Sequence, residues 1–153
     1  MINLRAMRNL IFIALFLVPF ACKPPQTHNQ GILKGELQWV AGNQMPGPDK
    51  PASSGIPIQR VVLIYPPIQR DDCTLGPDGL FTNVPGKPVA RILSDTTGNF
   101  ITNLSEGMYS VFTREKDGIF ASISNGEGIM NPVTITARDT TEIRIDINYK
   151  ASY

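Results

Sequence analysis

One segment restricts the fold of this chain more than any other. In Ile143-Arg-Ile145-Asp-Ile147-Asn-Tyr149, large apolar residues alternate with polar ones without exception. A period of two places one apolar row on a single face of an extended chain; a helix would scatter that row around its axis. Val133-Thr-Ile135-Thr-Ala137 repeats the pattern, and the Arg138–Thr141 loop joins the two. Upstream, Leu37 and Trp39 alternate with Glu36 and Gln38. Val61, Leu63 and Tyr65 form one face of a short run with Val62 and Ile64 on the other, so both faces are apolar and the strand is expected to be central. Val89, Arg91 and Leu93 oppose Ala90 and Ile92 in a third strand.

Turn chemistry separates these runs. Asp95-Thr-Thr-Gly98-Asn99 precedes a return strand from Phe100 to Leu104, and Ser105-Glu-Gly107 turns into Met108–Glu115. Lys116-Asp117-Gly118 carries the Asp-Gly pair of tight hairpins, with Ile119–Ser124 as the expected partner and Asn125-Gly-Glu-Gly128 as the next loop. With 13 Gly and 13 Pro, almost no window sustains helical periodicity. The expectation is all-β: an antiparallel β-sandwich of about seven strands. Two loops, Ala41–Ile56 and Pro66–Gly79, exceed hairpin length, and eleven of the 13 prolines lie between Pro24 and Pro88, which stiffens them. Such loops either carry binding or cover sheet edges.

The N-terminus is of another kind. Met1–Asn9 holds Arg5 and Arg8 and no acid, Leu10–Phe20 is an uncharged apolar run, and Ala21-Cys22 follows at once. A basic start, a short apolar stretch and a small residue describe an export signal. The 11-residue run is too short to span a bilayer, which takes about 20 apolar residues. The alternative, a buried first helix, finds no helices downstream to pack against. The Ala21-Cys22 junction resembles the lipobox of bacterial lipoproteins, although Pro19 and Phe20 depart from its usual residues. That resemblance implies removal of residues 1–21 and diacylation of Cys22; two acyl chains suffice for stable anchoring. The expected organisation is a signal peptide at 1–21, the lipidated cysteine and a polar tether at 22–30, and a β-sandwich domain at 31–153. Loss of Arg5 and Arg8 leaves 12 basic against 13 acidic residues, a formal charge of −1.

Gly35-Glu-Leu37-Gln-Trp39-Val-Ala-Gly42-Asn43-Gln-Met45-Pro46, Pro57-Ile-Gln-Arg60-Val-Val-Leu-Ile-Tyr65, Ser94-Asp95-Thr-Thr-Gly98-Asn-Phe100, Leu104-Ser-Glu-Gly107-Met-Tyr109 and the ending Tyr149–Tyr153 resemble small lipoproteins of Bacteroidetes-type bacteria. These are similar to the carboxypeptidase regulatory-like domain, a prealbumin-like (transthyretin-like) sandwich. In that family an Asp-x-x-Gly-x-Phe turn is followed by Pro-Gly-x-Tyr; Glu106 stands here in place of the proline. The resemblance implies a fold, and it does not bring peptidase chemistry with it. The residues also have physical reasons of their own. Gly98 and Gly107 allow positive φ, Asp95 accepts amide hydrogen bonds across its turn, and Phe100 and Tyr109 are expected between the sheets.

Little in the chain points to catalysis. His28 is the one histidine and lies in the tether, so a histidine-rich zinc site is excluded. Asp71, Asp72 and Asp78 share a loop and are expected to be solvated acids, with a calcium site as the alternative. No serine lies in Gly-x-Ser-x-Gly. Glu115 and Glu127 are the best pair for glycoside hydrolysis, but Glu115 is expected to cap or salt-bridge a strand edge. Cys73, beside Asp71 and Asp72, is expected to be a free thiol of raised pKa, or a partner of Cys22 if that residue is not acylated. Asp95-Thr-Thr and Asp139-Thr-Thr resemble O-glycosylation acceptors of the same bacteria, and turn chemistry explains them equally. Trp39, Tyr65, Phe81 and Tyr109 are either core or a stacking surface for glycan or peptide. The 14 basic against 13 acidic residues give no surplus for binding nucleic acid.

The expectation is therefore an exported, lipid-anchored envelope protein, on the outer membrane, the periplasmic face or the cell surface, without metal or cofactor. Its role is binding or structural, with a membrane contact through the acylated N-terminus and a protein, peptide or glycan partner. The alternative is an accessory or regulatory subunit of an envelope enzyme or transport complex.

Overall fold

The computed structural model describes residues 29–45 and 55–153. The expected signal peptide, Cys22, His28 and the middle of the first long loop lie outside the described residues. The strands are β1 (Gln30–Asn43), β2 (Ile56–Pro57), β3 (Val61–Tyr65), β4 (Thr74–Leu75), β5 (Phe81–Asn83), β6 (Ala90–Leu93), β7 (Asn99–Ser105), β8 (Gly107–Arg114), β9 (Ile119–Phe120), β10 (Pro132–Ile135) and β11 (Thr140–Ser152). A 3-10 turn at Arg70–Asp72 lies within the second long loop. The chain is a β-sandwich, as the alternation requires.

In the first sheet β1 is central. Its first half pairs antiparallel with β7, from Gln30 opposite Ser105 to Glu36 opposite Asn99, and Gln38 and Trp39 pair with β2. Along its other side runs β11, and this ladder is parallel. The expectation of a wholly antiparallel sandwich is corrected here: alternation shows which face a residue takes but carries no information about strand direction. The ladder is continuous from Ile32 opposite Thr140 to Trp39 opposite Ile147, then slips by one residue, so that Ala41 meets Lys150. The extra residue is a bulge at Asn148 and Tyr149. β1 also begins at Gln30, one residue inside the segment expected to be tether.

The second sheet runs β4-β5-β9-β8-β3-β6, and β10 pairs with the first half of β8. As expected, β3 is central, between β6 and β8. Its two apolar faces serve two cores. Val62 and Ile64 point into the space between the sheets with Leu33, Leu37, Phe100, Val111, Ile135, Ile145 and Ile147. Leu63 and Tyr65 point the other way, into a second cluster with Phe81, Val84, Phe112 and Met130, against which Ile68 and Cys73 pack. Part of the second long loop therefore covers the outer face of the sheet. Full burial of Phe112, ringed edge-on by Tyr65 at 5.5 Å and Phe81 at 6.3 Å, contributes about 1.5–3 kcal/mol.

The turn at Asp95 forms as its residues require. Asp95 Oδ1 accepts hydrogen bonds from the amides of Thr97 (2.9 Å) and Asn99 (2.8 Å) and from the Thr97 hydroxyl (2.8 Å), while Gly98 takes φ 80°. Phe100 is buried between the sheets; Tyr109 is half-buried and its hydroxyl donates to the Ser105 carbonyl at 3.0 Å. The expected partner strand Ile119–Ser124 stops at Phe120. Beyond it, buried Asn131 at φ 35° takes the place of a ladder residue: its side chain accepts from Ile123 N and donates to the Val111 carbonyl, both at 3.0 Å.

Candidate functional site

Where β9 ends, between β5 and β8, the sheet leaves a notch of about 310 Å³. Phe81, Phe120 and Met130 form its floor, and the exposed side chains of Leu75 and Ile123 stand at its mouth. Arg70, Ser122, Ser124, Asn148 and Tyr149 supply a polar rim. A floor of this kind accepts an apolar side chain, and the rim offers hydrogen bonds to a backbone or amide beside it.

Tyr149 links the notch to the interior. Its ring meets Trp39 edge-on at 5.3 Å and Phe120 at 5.7 Å, with the Lys150 ammonium 5.5 Å from its centre. Its hydroxyl donates to Glu115 Oε2 at 3.4 Å. Glu115, whose side chain is 1% exposed, also accepts from Arg60 Nε at 2.9 Å and from the Thr113 hydroxyl at 3.2 Å. Burial, and then the negative charge of Glu115, hold the Tyr149 phenol above its ordinary pKa. Because the carboxylate is matched by a cation, its place is that of a structural ion pair, as the sequence led us to expect of Glu115.

A second depression, of about 780 Å³, crosses the outer face of the first sheet. Two cross-strand rows wall it: Ile101–Lys34–Glu142 and Asn99–Glu36–Arg144. Lys34 Nζ lies 3.2 Å from Glu142, and Arg144 lies 3.5 Å from Glu36 and 2.8 Å from Asp146. The row between them turns Phe100 and Ile143 inward beside Gly35, so the groove floor is backbone.

Of the residues considered for a stacking surface, Tyr65 and Phe81 are each 4% exposed and belong to the core beneath the 66–88 segment. They form no exposed platform, and that option is corrected: both pack on Phe112. Trp39 is half-buried against the inter-sheet core, edge-on to Tyr149. The structure thus brings Phe81 to the floor of the notch and connects Trp39 to its rim through Tyr149, but it does not set the three side by side. Cys22 lies outside the described residues. Glu127 is exposed in the Asn125–Gly128 turn, and neither it nor Glu115 lines either depression. Among the described residues no three His, Cys, Asp or Glu side chains converge to hold a metal, and Asp71, Asp72 and Asp78 are exposed. Cys73 is a free thiol whose pKa is raised by burial first and by Asp72 second. Sequence reasoning did not single out Arg70, Phe120 or Tyr149 for the notch. The inward parity of Tyr149 with Ile143, Ile145 and Ile147 was the one available signal.

No family model and no curated protein matches this chain. Among solved structures it is similar to GBS52, the minor pilin of the Gram-positive pathogen Streptococcus agalactiae, at 18% identity and a TM-score of 0.43. The match covers 78% of this chain and 44% of the pilin chain, so the chain spans less than half the length of that neighbour.

Proposed function

We propose that the protein is an exported, lipid-anchored module of the bacterial cell envelope with a non-catalytic role in binding or structure. The observation that carries this reading is the order of Arg5, Arg8, the apolar run Leu10–Phe20 and Ala21-Cys22, placed directly ahead of a β-sandwich. Gln30, the first residue of β1, lies eight positions after Cys22. At about 3.3–3.6 Å per extended residue, that tether holds the sandwich within about 30 Å of the surface in which the acyl chains sit. In this reading the ligand is a peptide or protein segment in preference to a glycan. A glycan is held by exposed aromatic faces, and Tyr65 and Phe81 present none, whereas the notch between Leu75 and Ile123 suits one apolar side chain.

The test is metabolic labelling of the full chain with a fatty-acid analogue, followed by membrane fractionation. The wild type should incorporate label and sediment with membranes, and Cys22→Ala should lose the label. Equal labelling of both proteins, or none in either, would refute the anchoring.

A further inference from the structure

We infer that the outer edge of β11 is an interface for a second copy of this chain, joined antiparallel about Ile143. Among the described residues β11 has β1 on one side and no strand on the other. The direction of its backbone groups follows from the ladder. Ile32 N donates to the Asp139 carbonyl at 2.8 Å, and Ile32 sits opposite Thr140. In a parallel pair this arrangement aims the N–H and C=O of Thr141, Ile143 and Ile145 at β1. It aims those of Glu142, Arg144 and Asp146 at the open side. Sheet edges are usually blunted by charged side chains, proline, inward charges, short length, a bulge or a covering segment. From Thr140 to Ile147 there is no proline, inward charge or bulge, and the bulge comes only at Asn148 and Tyr149. The charges of Glu142, Arg144 and Asp146 lie on the outer face, where they repel most strands and admit one of matched sign.

Charge and the bulge together select the partner and the register: an axis at Ile145 would also oppose Arg144 to Asp146, but it would carry Glu142 onto the bulged Asn148. With Ile143 on the two-fold axis, Glu142 lies opposite Arg144 of the second copy, Arg144 opposite its Glu142, and Thr140 opposite its Asp146. All are even-numbered residues whose backbone groups face the partner, so each opposed pair can exchange two hydrogen bonds. The rows on the outer face then join. Lys34 already pairs with Glu142, and Arg144 with Glu36. Across the axis the sequence becomes Lys34, Glu142, then Arg144 and Glu36 of the second copy, with signs alternating over four strands. Moving the axis to Arg144 would instead oppose Arg144 to itself and Glu142 to Asp146, an arrangement disfavoured by like charges. On the inner face the two half-buried Ile143 side chains would meet and cover one another. The overlap of Thr140–Asp146 ends before the bulge.

This inference stands apart from the anchoring, because it concerns the folded domain alone. It is tested by sedimentation velocity of the purified full chain, in detergent where the chain is acylated, with Glu142→Arg and Arg144→Glu variants. Each reversal breaks ion pairs that are largely solvent-exposed, worth about 0–1 kcal/mol apiece, so the fold should survive. The wild type should be a dimer. Either variant alone places like charges across the axis and should weaken dimerisation by about tenfold or more. Mixed in equal amounts, the two variants set positive 142 and 144 side chains against negative ones and should restore a heterodimer. A monomeric wild type, a dimer that withstands both reversals, or a mixture that fails to associate would each overturn the interface.

Discussion

Arg60 Nε donates a hydrogen bond of 2.9 Å to Glu115 Oε2, tying the residue just before β3 to the residue just after β8. The Glu115 side chain is buried while that of Arg60 keeps 31% of its surface. This asymmetry decides what the pair is worth: it adds little as an attraction, but loss of the cation strands a charge that water cannot reach.

Arg60→Ala should therefore destabilise the fold by about 2–3 kcal/mol in urea unfolding, below the range for a fully buried pair because Arg60 is partly hydrated. Adding Glu115→Gln to that variant should recover a good part of the loss. Glutamine removes the charge; its oxygen accepts from one of the two hydroxyls, Thr113 or Tyr149, and its amide N–H can donate to the other, because a hydroxyl also accepts. If the double variant is no more stable than Arg60→Ala, the stranded charge is not the cause.

Gly35 sits opposite Phe100 in the β1–β7 ladder, and the Phe100 ring occupies the place where a Cβ on residue 35 would project, with Ile143 Cγ1 at 3.0 Å. Gly35→Ala overfills a fully packed site and should cost about 1–3 kcal/mol. Phe100→Leu frees that space while losing core packing. The two changes together should cost less than the sum of their separate effects, a coupling that unfolding curves of all four proteins would measure. Strict additivity would show that the ring does not press on residue 35.

The Asp95 carboxyl is held below its ordinary pKa, first by the Thr97 hydroxyl and then by the Asn99 amide. A depressed folded value means that the stabilisation is fully present above the unfolded pKa and is lost as pH falls through the folded one. Asp95→Asn should lower the melting temperature by a constant amount above about pH 4–5, with the gap to wild type closing in more acid solution. A gap independent of pH would show that geometry alone, without charge, holds the turn.

Much of this architecture was legible from local pattern. Alternation at Ile143–Tyr149 and Val133–Ala137 and the double apolar face of Val61–Tyr65 identify strands, because the pleat alone sets the period. The Asp95–Asn99 turn was legible because every partner lies within four residues. Partnership over long distances was not. Nothing in Leu33 or Ile145 says that β1 and β11 run side by side in the same direction. The second apolar face of β3 pointed to a cover without showing that Phe81 and Val84 provide it. For that reason Tyr65 and Phe81 were open to assignment as surface or core, and the structure places them in the core. Cys73 shows the same limit: its acidic neighbours were visible in the chain, but the larger influence on its thiol is burial. The notch opens where β9 stops and Asn131 takes over the bond to the Val111 carbonyl, a change of partner at one left-handed residue that no periodicity announces.

The parallel course of β1 and β11 has a mechanical consequence. A pull that draws Gln30 one way and Ser152 the other makes the two strands slide lengthwise, so the load falls at once on the ladder from Ile32–Thr140 to Asn43–Ser152. An antiparallel pair gripped at one end would peel open bond by bond. A module moored at its near end and tugged at its far end would thus yield only when the whole seam shears.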